Sequence, residues 1–248
     1  MKISVITVTY NARRWLERTL KSVIAQATDA VELLIIDGGS TDGTLELIRK
    51  YEDTIDYWIS EPDKGLYDAM NKGVRQATGD YVWFINAGDT IAASTTVRLL
   101  LDQLKGKELP DVIYGETGIC DESGRSIGTR RLKAPEQLNW KSFKWGMLVC
   151  HQSFLAKRAG VPLYDLQYKL AADYDWCIRC LKQAKSVHNS HLVLSEFLEG
   201  GVSSLRRREG LKERYRIMCR YYGKGGTLCR HVWFALRFYF AKWFIGRV

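Results

Sequence analysis

The chain has 248 residues, 46% of them hydrophobic, enough to bury one α/β core plus a smaller appendage, and its six cysteines lack the paired spacing of a zinc site. The net charge of +9 is uneven: residues 205–248 hold 12 Lys and Arg against 2 Asp and Glu, which leaves 25 against 26 in the rest. A near-neutral body argues against nucleic acid as a partner, because such a domain carries its positive charge where the phosphates lie.

Met1-Lys2 runs directly into Ile3–Thr9, a β-branched run that predicts a strand, with no basic leader and apolar helix of signal-peptide length. A reducing cytoplasm is therefore expected. Trp15, Leu16, Leu20, Val23 and Ile24 recur at helical spacing with charges between them. Val31–Ile36 predicts a second buried strand, ending in Asp37-Gly38-Gly39-Ser40-Thr41-Asp42-Gly43-Thr44 before a helix over Leu45–Tyr51. Alternating strand and helix implies parallel strands joined by right-handed crossovers. The first turn, Tyr10-Asn11-Ala12, holds no glycine, which argues against a nicotinamide dinucleotide site. Tyr10 offers a ring for stacking, and an acid at the end of a strand can accept from a base or ribose. Together they suggest a nucleotide pocket.

A short strand at Tyr57–Ser60 leads through the turn Glu61-Pro62-Asp63-Lys64-Gly65 to a helix at Leu66–Gln76. Asn71 and Gly73 are poor helix formers in its middle, which points to a polar contact or a close backbone approach there. Tyr81–Ile85 is an unbroken apolar run, read as a strand buried on both faces. It opens into Asn86-Ala87-Gly88-Asp89. A lone carboxylate beyond a strand end suits Mg²⁺ or Mn²⁺ bound mainly through substrate phosphates; the alternative is an Asp capping a helix that starts near Ile91.

Farther on, a helix is expected at Thr95–Leu104, a strand at Val112–Gly115, a turn-rich hairpin at Gly118–Thr129, a helix over Tyr168–Leu181 and a strand at Leu192–Phe197. Cys177 and Cys180, on a helical segment with no second pair, read as buried thiols. Asp175 is expected to face water or Arg179. Arg206-Arg207-Arg208 reads as a solvated charge run or a partner for anions. Trp233–Phe244 mixes aromatic residues with Arg237 and Lys242, too charged to cross a bilayer but suited to a helix lying on an anionic membrane surface; the alternative is a helix that covers the core or forms an oligomer.

Ser4–Asn11, Asp37–Thr44, Asp63–Gly73 and Asn86–Asp89 together resemble the successive signatures of family 2 glycosyltransferases, in particular a branch that builds bacterial exopolysaccharides. The resemblance covers roughly the first 205 residues. It implies the GT-A fold, an α/β Rossmann-like and mostly parallel sheet flanked by helices, with a donor half at 1–115, an acceptor half at 116–204 and a basic helical tail at 205–248. It implies an inverting, metal-dependent transfer from a nucleotide-diphosphate sugar to a saccharide, with a lipid-linked acceptor explaining a tail held peripherally at the inner face of the cytoplasmic membrane. Thr9, Tyr10, Asn11, Asp37, Asp68, Asn71 and Gly88 would meet the donor, Asp89 the metal, and His151, Gln152 and Ser203 the acceptor or diphosphate. Asp173 would be the general base. Many relatives carry two acids where this chain has Asp37-Gly38, where it has Gly88-Asp89 and where it has Ala172-Asp173. Two other readings are a sugar nucleotidyltransferase, which usually shows a glycine-rich basic loop absent after the first strand here, and a catalytically inactive sugar-binding partner.

Overall fold

The computed structural model describes residues 1–200 and 206–245. Strand β1 (Ile3–Thr9) is followed by α1 (Arg13–Ile24), β2 (Val31–Asp37), α2 (Thr44–Lys50), β3 (Tyr57–Ser60), α3 (Leu66–Gln76) and β4 (Tyr81–Phe84). These strands pair in parallel in the order β3-β2-β1-β4, with Ile6 opposite Leu34 on one side and Phe84 on the other. Successive side chains of a strand point to opposite faces. Ile3 and Val5 therefore enter a core layer with Leu16, Leu20 and Trp83, while Ile6 and Val8 enter the opposite layer with Met70, Phe84 and Trp176. Burial on both faces is why these strands read as continuous apolar runs rather than alternating ones.

The sheet continues with antiparallel strands. After β5 (Thr90–Ile91) and α4 (Thr96–Leu104) come β6 (Val112–Cys120), β7 (Ser126–Thr129), β8 (Phe154–Lys157), α5 (Ala172–Gln183) and β9 (Val187–Leu198). β8 lies between β4 and β6, antiparallel to both, and β9 pairs in parallel with β6 while running against β5. The sheet is thus mixed, with its parallel half at the N-terminus. Residues after Asp89 form β5 rather than the start of a helix, because Thr90 and Ile91 find backbone partners in Glu196 and Ser195. β6 and β9 are both longer than the sequence alone suggests, since each supplies the other's edge.

Two helices close the chain, α6 (Arg207–Tyr222) and α7 (Lys224–Ile245). Ile217 and Met218 of α6 are buried in the same core layer as Phe84 and Trp176. Tyr221 and Tyr222 donate to Asp175 and to the Trp140 carbonyl. α6 therefore shares the core of the region that the sequence reading ends at residue 204. The side chains from Arg237 to Phe244, the heart of the aromatic stretch, lie outside the described residues.

Candidate active site

The strand order reverses direction between β1 and β4, and in open α/β sheets ligands bind beyond the carboxyl ends of strands at such a point. Tyr10 and Asn11 leave β1 there, and Asn86 to Asp89 leave β4 there. Tyr10 is 65% exposed, a ring free for stacking. Asn11 takes a left-handed φ of 47°, which asparagine tolerates; its backbone N–H donates to Ser40 Oγ (2.7 Å) and its Oδ1 accepts from Thr41 N–H (2.9 Å). These bonds join the loops that follow β1 and β2. Thr9 is buried, and its Oγ1 has no hydrogen-bond partner among the described residues.

Asp37 sits at the end of β2 with no exposed surface. It accepts from Gly39 N–H (3.0 Å), Ser40 N–H (2.8 Å), Ser40 Oγ (2.5 Å) and Ser60 Oγ (2.7 Å). Four bonds use about the full accepting capacity of a carboxylate, so Asp37 shapes the loop. Asp68, in the first turn of α3, accepts from Lys64 N–H (3.0 Å). Asn71 is buried and bonds Tyr164 twice through the backbone, its Nδ2 to the carbonyl (3.0 Å) and its Oδ1 from the N–H (2.7 Å). That is the polar contact its awkward helical position suggested, and it ties α3 to the segment leading into α5. Gly73 supplies the close approach, since a Cβ there would collide with Ile6 of β1.

The β4 loop is held from α1. Gly88, at a φ of 105°, donates its N–H to Thr19 Oγ1 (2.9 Å), and its carbonyl accepts from Arg18. Asp89 lies under this loop, 5% exposed, with Oδ2 accepting from Gln152 Nε2 (2.9 Å) and Oδ1 from Leu198 N–H (3.0 Å). Burial pushes the pKa of Asp89 up, and these two bonds only partly offset it. Asn86, in the same turn, has a buried Oδ1 with no partner among the described residues. Those residues include no group of three or more His, Cys, Asp or Glu placed to cage a metal. An open amide oxygen and a carboxylate whose charge is held at a cost instead fit a hard cation that arrives with most of its ligands on a diphosphate.

His151 and Gln152 lie in a short turn (His151–Ser153) before β8. Gln152 reaches Asp89; its neighbour His151 stands between Asn86 Nδ2 (3.3 Å from Nε2) and Asp173 Oδ2 (3.4 Å from Nδ1). Asp173 is in the first turn of α5, and the Tyr67 hydroxyl donates to its Oδ1 (3.2 Å). Burial alone would raise the pKa of Asp173, but the hydrogen bond and charge of His151, with the positive charge of Arg214, bring it below the ordinary carboxylate value. Burial and the Asp173 charge push Tyr67 well up, so the phenol stays a donor. Tyr67 is braced by stacking on Tyr164 at 5.3 Å, and Tyr164 stacks on Trp176 at 5.0 Å. Asp175 pairs with Arg179 as expected (2.6 Å), but it is fully buried rather than facing water.

Asn86, Asp89, His151, Gln152 and Asp173 are thus gathered at one place, Tyr10 and Asn11 follow the strand next to β4, and Ser203 lies outside the described residues. Tyr67 belongs to the Leu-Tyr-Asp-Ala-Met-Asn run, but nothing in the sequence marks it as a partner of Asp173. Arg214 comes from the tail, whose charge gave no hint of a role near α5.

The profile of "Glycosyl transferase family 2" matches residues 4–161. An uncharacterized glycosyltransferase of Mycobacterium tuberculosis is 34% identical over 250 aligned positions, covering 96% of this chain and 92% of that one. A PGL/p-HBAD biosynthesis glycosyltransferase of Mycobacterium bovis is 30% identical over 209, covering 81% of this chain and 78% of the relative. Among solved structures, S. aureus TarS 1–349 in complex with UDP-GlcNAc superposes with a TM-score of 0.66 at 18% identity, over 92% of this chain and 69% of that one. Glucosyl-3-phosphoglycerate synthase from Mycobacterium tuberculosis, in complex with Mn²⁺, UDP and glucosyl-3-phosphoglycerate, superposes with a TM-score of 0.62 at 17% identity, over 88% and 79%. At such identities the superpositions speak for the fold.

Proposed function

We infer from one premise, that the chain belongs to glycosyltransferase family 2, that it moves a sugar with inversion from a nucleoside diphosphate donor to a hydroxyl of a lipid-linked saccharide in the synthesis of a bacterial surface polysaccharide. The observation that carries this reading is the reach of two adjacent residues, Gln152 to Asp89 and His151 to Asp173. Through them the acid proposed for the donor side and the acid proposed for the acceptor side meet across one short turn. Solved neighbours of the same fold hold UDP-GlcNAc, or UDP with Mn²⁺, which supports a nucleotide-sugar donor.

Tyr10 stacks on the donor base, and Thr9, Asn11 and Gly88 border the phosphates at the ends of β1 and β4. Asn86 and Asp89 would hold Mg²⁺ or Mn²⁺, which when bound neutralises the charge developing on the leaving diphosphate. Asp173 accepts the proton of the acceptor hydroxyl as its oxygen bonds to the anomeric carbon and the bond to the diphosphate breaks on the opposite face. Tyr67 and His151 orient that carboxylate and keep it ionised. No covalent intermediate on the protein is needed.

The tail bears on the acceptor. Leu228, Val232, Trp233 and Leu236 of α7 are exposed beside a segment rich in Lys and Arg, and no described helix is long and apolar enough to cross a membrane. This combination suits docking on the anionic inner leaflet, where a polyprenyl-linked acceptor is held. The purified chain, given UDP-GlcNAc, UDP-Glc or GDP-Man with Mn²⁺ and a polyprenyl diphosphate saccharide, is expected to release nucleoside diphosphate. Asp173→Asn should abolish release while leaving donor binding measurable by calorimetry. Near-normal turnover in that variant rejects the assignment of the base. Pyrophosphate released from a nucleoside triphosphate would instead indicate nucleotidyl transfer.

A further inference from the structure

The acid at the end of β2 is saturated, yet a second acid lies near Tyr10, on the other side of Gly38. Asp63, in the turn before α3, uses Oδ1 to accept from Gly65 N–H (2.7 Å). Its Oδ2 accepts no hydrogen bond among the described residues. That oxygen lies against Gly38: a Cβ built on Gly38 would stand 2.5 Å from Asp63 Oδ2 and 3.3 Å from Tyr10 Cδ2. Gly38 is not among the glycines with a left-handed φ, so its backbone conformation does not demand glycine. What demands it is the space filled by the Asp63 carboxylate.

We propose that Asp63 reads the donor base, selecting a nucleoside diphosphate whose base presents one ring N–H, uracil or thymine. This deepens the donor reading above and rests on it. A base stacked on the exposed Tyr10 ring turns its hydrogen-bonding edge toward a carboxylate that has one oxygen open. Uracil and thymine offer N3–H to it. Cytosine and adenine offer a lone pair at the corresponding ring nitrogen, which the carboxylate repels. Guanine offers two parallel N–H donors, and Asp63 Oδ1, which already accepts from Gly65 N–H, serves the second of them less well than a free oxygen would.

The test is calorimetric titration of the full chain with UDP, dTDP, CDP, GDP and ADP in the presence of MgCl₂. UDP and dTDP are expected to bind about tenfold or more tighter than CDP, the scale of one hydrogen bond to a charged group. Asp63→Asn should bring UDP and CDP to within about twofold of each other, because an amide can accept from uracil N3–H or donate to cytosine N3. Gly38→Ala, which displaces the carboxylate without removing it, should weaken UDP and leave CDP unchanged. Preference for GDP in the unmodified chain overturns the proposal. Equal weakening of every nucleotide in Asp63→Asn also overturns it, since that marks a ribose contact. Binding of none of the five rejects the donor reading itself, and this proposal with it.

Discussion

Glu213 of α6 caps a helix to which it does not belong. Its carboxylate accepts from the backbone N–H groups of Lys169 (3.0 Å), Leu170 (2.8 Å) and Ala171 (3.0 Å), immediately before α5. α5 has no side-chain cap of its own, because its N-cap residue is Ala171. The negative charge also lies at the positive end of the α5 dipole. Glu213→Ala strands these donors. Lys169 is exposed and its N–H can turn to water, whereas Ala171 is fully buried. Losing a helix cap costs about 1 kcal/mol, and leaving one buried N–H unpaired adds about 1–3 kcal/mol. A total of about 2–4 kcal/mol lowers the melting temperature of a chain this size by about 4–16 °C. Asp173 follows Ala171 by two residues, so its carboxylate shifts with the loosened turn. A misplacement of about 1 Å can cost on the order of a hundredfold in rate. Thermal unfolding followed by circular dichroism and steady-state kinetics read the two effects separately. The expected result is a lower Tm, a reduced kcat, an unchanged donor KM, and partial recovery of both Tm and kcat in Glu213→Gln, which keeps an accepting oxygen. An unchanged Tm would refute the capping argument. A lower Tm with unchanged kcat would show that the cap stabilises α5 without positioning Asp173.

His151→Gln removes the imidazole whose hydrogen bond helps lower the pKa of Asp173, so the acid limb of the kcat profile should move to higher pH, and a profile that stays in place would deny that influence. Glu32 shows the linkage on stability. Burial raises its pKa, but hydrogen bonds from Ser4, Thr78 and Lys2 outweigh burial and bring it to about 2. A depressed folded pKa contributes stability above the unfolded value that is lost as pH falls. Urea titrations should therefore show stability declining between pH 4.5 and 2, with a shallower decline in Glu32→Gln. Gly73→Ala improves intrinsic helix propensity by about 1 kcal/mol but drives a methyl into Ile6, and overpacking of about 1–3 kcal/mol should make the net effect destabilising, as differential scanning calorimetry would show.

The parallel half of the sheet was legible from Ile3–Thr9, Val31–Ile36 and Tyr81–Ile85, because strands buried on both faces must be apolar at every position. β8 was not legible: Phe154–Lys157 is four residues whose pairing depends on β4 and β6, one of them more than 70 residues earlier in the chain. The tail read as an appendage because its charge overshadowed Ile217 and Met218, which only packing against the core singles out.

The site divides along the same line. By itself, the sequence determined which loops leave the strand ends and which residue types they bring there, since turns and apolar runs are local properties of the chain. Only the tertiary structure decided which carboxylate oxygens remain open. Asp37 is saturated by Gly39, Ser40 and Ser60, while Asp63 Oδ2 is left beside Tyr10, and Glu213 reaches back more than 40 residues to cap the helix that carries Asp173. Those outcomes depend on hydrogen-bond partners supplied by other elements, and a spacing rule that runs along one segment carries no information about them.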